Sequence, residues 1–197
     1  MVHSVEAQSY EDWELCLAVV DCGHETQDLL TAARGLAARE QRIKLAVLPD
    51  NRGIAGNSNA TLEMATGDWV ARLDHDDLVT PDALYRFAEA INDNPCVDFL
   101  YSDKDMVDRA GLEHHSPLFK PARSPEIMLN STYLTHFCAM RMTRMQAIGG
   151  WDPDTDGAQD WDLFLRAIGT EGRVAHVPRV LYHWRHIETS VSAGGWR

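Results

Sequence analysis

Asp74, His75, Asp76 and Asp77 follow the apolar stretch "DWVARL", so three carboxylates fall within four positions. A turn needs only one or two short acids to bond its own backbone, and more than that repel one another. A cation among them resolves the crowding. Hard divalent ions such as Mg²⁺ or Mn²⁺ take oxygen ligands and are often held between one or two carboxylates and a substrate's phosphates. The D-x-D spacing lets Asp74 and Asp76 face one cavity while His75 points elsewhere. On residue types alone a plainer reading stands beside this one, in which the acids cap the coming helix and are solvated, because D-x-D is frequent by chance.

Two further groups carry chemistry. "GAQDWDLFLR" puts Asp160 at the start of a helix, where its carboxylate can act as a general base toward a hydroxyl within reach or simply cap the helix. Asp162 is an early-turn acid of the kind a helix dipole favours. In "YHWRH", strand alternation sends His183 and Arg185 to one face and Trp184 to the other. A neutral imidazole can complete a metal shell and a guanidinium pairs with phosphate oxygens. A surface strand around a partly buried tryptophan is the alternative. Lesser candidates are Lys120 in "FKP", as a phosphate-reaching or solvated lysine, and Asp103 and Asp105 in "YSDKD", as pocket-lining or turn acids. Trp151 after Gly149-Gly150 suits a sugar face or the core. His114-His115 has no partner at metal-ligand spacing and is expected in an exposed loop. The polar "ETSVS" near the C-terminus is expected to be mobile and to fold over a ligand.

The elements that must position these groups alternate. "LCLAVV" and "IKLAVL" are short apolar runs of the kind buried on both faces of a parallel sheet. "QDLLTAARGLAARE" and "IAGNSNATLEMAT" read as helices, the second ending at Gly67. "DWVARL" is a third strand. Thr80-Pro81-Asp82 opens a helix by its capping hydroxyl and first-turn proline, and "VDFLYS" is a fourth strand. This alternation indicates an α/β domain with a largely parallel sheet, in which ligands gather at the carboxyl ends of strands. After residue 102 the chain turns polar and turn-rich, as a hairpin or an excursion over one face. Ser124-Pro125-Glu126 opens a short helix, "THFCAMRM" is a strand, "TRMQAIGG" a helical turn and "AQDWDLFLRAIG" an amphipathic helix. "RVAHVP" and "VLYHWR" close the pattern as two short strands.

The 197 residues fit one domain. A net charge of −12 argues against a general nucleic-acid binder, which needs a basic face. Cys16, Cys22, Cys96 and Cys138 form no CxxC pair and read as reduced thiols of a cytosolic protein. No apolar run reaches the roughly 18 residues of a membrane span, and no secretory signal pattern opens the chain.

"NRGIAGNSNATLEMATGDWVARLDHDDLVTPDAL" closely resembles the donor-binding half of the family 2 glycosyltransferases, which have the GT-A fold. The resemblance rests on the asparagine–glycine turn, Asn59-Ala60, the Gly67-Asp68 pair before the strand, the aspartate cluster and the proline-started helix. Downstream, "YSDKD", "FKP", "GGWD", "DGAQDWDLFLR" and "YHWR" match bacterial members in order. It implies a single GT-A-like α/β sandwich over 1–197 around a mostly parallel sheet. Residues 1–102 would be the donor-binding half and 103–197 the acceptor and catalytic half. It also implies inverting transfer of a hexosyl or deoxyhexosyl group from a nucleotide-diphosphate sugar to a hydroxyl of a glycan or lipid-linked acceptor. Such a protein builds bacterial surface polysaccharide in the cytoplasm or at the inner face of the membrane. The implied cofactor is Mn²⁺ or Mg²⁺, held by Asp76 with Asp74, which also contacts the donor; Asp77 shares either task. Asp160 would be the base, although Gln159 stands where the family often has glutamate. His183 and Arg185 would meet the diphosphate, and Asp21 the nucleotide.

Two departures from the pattern bear on activity. The start, "MVHSVEAQSYEDWEL", resembles only the end of the family's first helix, so the first strand is absent from the pattern. Either the chain is an N-terminally truncated fragment, or a neighbouring domain, another subunit of a homo-oligomer or a rearranged sheet has to cover the edges left open. In "VVDCGHET", Cys22 stands where a second aspartate is common, which leaves Asp21 alone to meet the nucleotide. The alternative function is therefore a non-catalytic GT-A module acting in binding or assembly. A haloacid-dehalogenase-type phosphohydrolase fits less well, because such enzymes place their D-x-D on the first strand.

Overall fold

The computed structural model describes residues 1–169 and 173–186; "ETSVS" lies outside them. In chain order the elements are α1 (Val2–Glu6), β1 (Leu15–Val20), α2 (Gln27–Arg39), β2 (Ile43–Leu48), α3 (Gly53–Leu62), β3 (Trp69–Ala71) and β4 (Leu78–Val79). There follow α4 (Ala83–Asp93), β5 (Phe99–Val107), β6 (His114–Leu118), α5 (Pro125–Met128), β7 (Cys138–Arg141), α6 (Met142–Ala147), α7 (Gln159–Ile168) and β8 (Val174–Arg185). They fall into two compact units, each discontinuous in sequence. One holds Met1–Glu11, Ala71–Ala139 and the described part of Gly172–Arg197; the other holds Asp12–Val70 and the described part of Met140–Glu171.

In the first unit β5 is the central strand. It runs parallel to β8 on one side, and on the other it carries β6 antiparallel; β8 in turn carries β4 antiparallel. The Ser102 N–H reaches the Phe137 carbonyl just before β7. The core is apolar and aromatic: Phe99, Leu100, Tyr101 and Val107 of β5 and Leu181 and Tyr182 of β8 are buried. Phe87 of α4 stacks on Phe137 with ring centroids 4.9 Å apart. The strand expected over 97–102 continues to Val107 because the two acids within it, Asp103 and Asp105, meet imidazoles on β8. The two closing strands are one. The β5–β8 register jumps from Ser102↔Val177 to Asp103↔Val180, and this bulge accommodates Pro178, which has no N–H to give a ladder.

In the second unit β1 and β2 form a separate two-stranded parallel sheet, in register from Leu15↔Ile43 to Val20↔Leu48. α2 buries Leu30 and Ala33 against Val19 and Leu45. Helix α3, expected to run to Gly67, stops at Leu62. The Thr66 and Gly67 N–H groups are taken instead by the Glu14 carboxylate, which also pairs with Lys44. Burial opposes ionisation of Glu14, but these donors hold its carboxyl down to about 2. At its other end α3 is capped by a distant residue: Asp156 accepts from the Ile54 N–H at 3.2 Å and the Ala55 N–H at 2.9 Å. Gly53 makes room for this cap. Its φ is +75°, and a Cβ there would lie 2.0 Å from the Asp156 carboxylate.

Candidate active site

The aspartates sit in the loop before β4, and β8 holds that loop through Asp77. This side chain is fully buried; the Tyr182 hydroxyl donates to one carboxylate oxygen and the Arg185 N–H to the other at 2.8 Å. Burial pushes the Asp77 carboxyl up to about 6, against the pull of these two donors. The Arg185 side chain completes the brace. Its Nε donates to the Asp76 carbonyl at 2.6 Å and one terminal nitrogen to the Arg109 carbonyl at 2.6 Å. These bonds extend the β4–β8 ladder, in which Leu78 faces His183 and Val79 faces Tyr182.

The three acids are therefore not equivalent. Asp77 is internal. Asp74 is half-buried and salt-bridged to Arg72 at 3.0 Å, with His136 Nε2 at 3.6 Å. Burial lowers the affinity of His136 for a proton, with Asp74 opposing, and the ring stacks on Tyr182. The Asp76 carboxylate has no hydrogen-bond or ion-pair partner among the described residues. A half-exposed carboxylate without a partner among the described residues, beside that of Asp74, fits a hard divalent ion, which takes oxygen ligands.

β5 and β8 carry a second set of polar contacts. Asp103 is buried, accepts from the Lys120 N–H at 2.9 Å and lies 2.8 Å from His176 Nε2, while the His176 ring stacks on Tyr101. Asp103 and Asp105 are therefore mid-strand acids with imidazole partners, not turn acids. Lys120 is neither solvated nor phosphate-reaching. It is 5% exposed, and its ammonium donates to the Leu134 and His136 carbonyls at 3.1 and 2.7 Å. Burial lowers its pKa to about 7. His183 Nδ1 lies 2.5 Å from one Asp105 oxygen and His114 Nδ1 3.0 Å from the other, so His114, expected in an exposed loop, is a strand residue with a partner. His183 and Asp105 are register partners, as are Lys104 and Tyr182. Alternation thus puts His183 on the opposite face of the sheet from Tyr182 and Lys104. Asp77 belongs with Tyr182, and the Lys104 ammonium feels Asp77 and Asp74.

The remaining candidates lie in the second unit. Asp160 is in the first turn of α7 and half-buried. Asp162, one turn before Arg166, pairs with it at 2.5 Å, and Arg166 also donates to the Ile148 and Gly150 carbonyls. This rivets α7 to the double-glycine turn. Trp151 is buried, and the Asn59 side chain bonds both its N–H and its carbonyl, so it serves the core. Asp21, at the carboxyl end of β1, is exposed and accepts from the Gly23 N–H at 2.9 Å. The Tyr182 latch and the Asp156 cap escaped the sequence reading, since neither partner is near in sequence.

The family model described as glycosyl transferase family 2 matches residues 1–147. The chain belongs to this family. Among curated relatives, the O-antigen biosynthesis protein RfbC of Myxococcus xanthus is 32% identical over 98% of the chain, which spans 15% of that protein. The putative teichuronic acid biosynthesis glycosyltransferase TuaG of Bacillus subtilis is 27% identical over the whole chain, which covers 76% of TuaG. An uncharacterized protein of Sinorhizobium fredii is 33% identical, and the chain spans 21% of its length. The fold is that of solved GT-A transferases. S. aureus TarS 1-349, in complex with UDP-GlcNAc, superposes with a TM-score of 0.75 at 19% identity, covering all of this chain and 57% of that one. A Pyrobaculum calidifontis mannosyltransferase in complex with GDP-Man and Mn²⁺ superposes with a TM-score of 0.68 at 18% identity, covering 98% of this chain and 54% of that one. No helix among the described residues is long and apolar enough to cross a membrane.

Proposed function

We propose that this glycosyltransferase moves a sugar from a nucleotide-diphosphate donor to a hydroxyl of a glycan or lipid-linked acceptor in surface-polysaccharide synthesis, with inversion. The observation that carries the reading is the braced aspartate loop. Asp77 and Arg185 spend their hydrogen bonds on fixing it, which leaves the Asp76 carboxylate presented without a partner among the described residues. Asp76 with Asp74 would hold a divalent ion, Mn²⁺ or Mg²⁺. When bound, such an ion supplies positive charge against a departing diphosphate. The Mn²⁺ and nucleotide-sugar in structures of the same fold support this assignment.

Each of the chain's own groups has a part. Asp74 accepts hydrogen bonds on the ribose side of the donor. Arg185 already has its Nε and one terminal nitrogen on carbonyls, and it offers its other terminal nitrogen to phosphate oxygen. Asp21 meets the nucleotide. Asp160, in the first turn of α7, takes the acceptor's proton as the new glycosidic bond forms at the anomeric carbon. His183, which the family pattern puts with Arg185 on the diphosphate, has its Nδ1 on Asp105.

Titration with a panel of nucleotide sugars in Mn²⁺ tests the reading, followed by turnover of whichever donor binds. Asp160→Asn should bind that donor as wild type does but lose about 10²–10⁴-fold in transfer. No heat and no turnover with any donor would favour the non-catalytic binding module.

A further inference from the structure

We infer that Asp105, His114 and His183 form a binding site for a borderline transition-metal ion of the Zn²⁺ class. Each can offer one ligand atom, and the three atoms lie within 4.8 Å of one another. The sheet brings them together. Asp105 lies on the central strand β5 with His183 as its register partner on β8, while His114 on β6 pairs with Val107, two residues from Asp105 and on the same face. His114 and His115 pair in register with Val107 and Met106, ahead of the register shift between Met106 and Lys104. One carboxylate thus faces two imidazoles, each with Nδ1 at 3.0 Å or less from its own oxygen, and the rings meet edge to face at 4.4 Å.

The donor set selects the ion. Two imidazoles with one carboxylate suit Zn²⁺ and its neighbours, whereas Mg²⁺ prefers an all-oxygen shell. Access is graded: the Asp105 and His183 side chains are 12% and 14% exposed and His114 is 46% exposed. The inner two ligands are held by the sheet and the outer one can swing to admit an ion, with a fourth position left for water. The cluster lies across the sheet from Tyr182 and its partner Asp77, and its three ligands are other side chains than the Asp74 and Asp76 carboxylates assigned to the first ion. It does not rest on the sugar-transfer reading.

The test uses the metal alone, on the intact chain without nucleotide. Calorimetric titration should show one equivalent of Zn²⁺ bound, and Co²⁺ in its place should give the visible absorption of a low-coordinate site. His114 is exposed enough that His114→Ala should leave the fold intact; it should weaken Zn²⁺ by about tenfold or more and abolish the Co²⁺ spectrum. The neighbouring His115→Ala should change neither, and Asp76→Asn should bind Zn²⁺ like wild type. The inference is overturned if no stoichiometric Zn²⁺ binds, if His114→Ala binds as wild type does, or if Asp76→Asn loses the ion.

Discussion

The Tyr182 hydroxyl donates to the buried carboxylate of Asp77, tying β8 to the aspartate loop across 105 positions of sequence. The Asp77 side chain is fully buried, and its other oxygen is served by the Arg185 N–H. Tyr182→Phe removes one donor and leaves the carboxylate half satisfied where water does not reach. The expected cost is about 1–3 kcal/mol of stability, read as a fall in the urea midpoint at unchanged slope. An unchanged midpoint would mean that the loop is held without this bond.

Asp76→Asn should behave in the opposite way. Its carboxylate has no partner to lose among the described residues, and its charge works against ionisation of Asp77. Removing that charge relieves repulsion, so stability without metal should stay within about 0.5 kcal/mol of wild type or rise slightly. Mn²⁺-dependent binding of a nucleoside diphosphate should fall at least tenfold. Thermal melts and calorimetry on the same sample separate the two effects. A variant that unfolds more easily yet still binds would reverse the roles given to Asp76 and Asp77.

Asp156→Ala strips the cap from α3. The helix lacks an acid in its own first turn and relies on this carboxylate for the Ile54 and Ala55 N–H groups. The loss should be about 0.5–2 kcal/mol, with amide exchange accelerated first at Ile54 and Ala55. Asp156→Asn keeps an acceptor and should recover part of it.

The sequence made some of this legible and left the rest hidden, for a physical reason. Periodicity located α2 and α7, which bury one face, and apolar runs located β1 and β2, which are less buried than expected: β1 buries Val19 alone and Val47 of β2 is exposed. Element ends were missed where a side chain from elsewhere decides them: Glu14 stops α3 and the imidazoles of His176 and His183 let β5 run through two aspartates. In the site, the crowding of three carboxylates into four positions marked the aspartate cluster as a candidate. The ranking within it, with Asp77 internal and Asp76 presented, depends on Tyr182 and Arg185, which only the pairing of β4 with β8 brings near. His114 and His183 are 69 positions apart and meet only because β5 lies between their strands.

Lys120 gives a pH signature that can be isolated. Burial lowers its pKa to about 7, well under the ordinary lysine value of roughly 10.4 that the unfolded chain keeps. Below about pH 7 both states carry the proton, and the folded state bears the full cost of a buried ammonium. Between about 7 and 10 the unfolded chain still binds a proton that the folded one has released, so this group makes stability rise with pH, by at most about 1.4 kcal/mol per unit. Lys120→Met removes the titrating group while filling most of its volume. It also leaves the Leu134 and His136 carbonyls without their donor, a cost that does not depend on pH. The wild-type stability minus that of Lys120→Met should therefore grow from pH 7 to pH 9.5 in urea melts. A difference that stays flat across that range would mean the ammonium keeps its proton in the fold, stabilised by the two carbonyls more than burial opposes it.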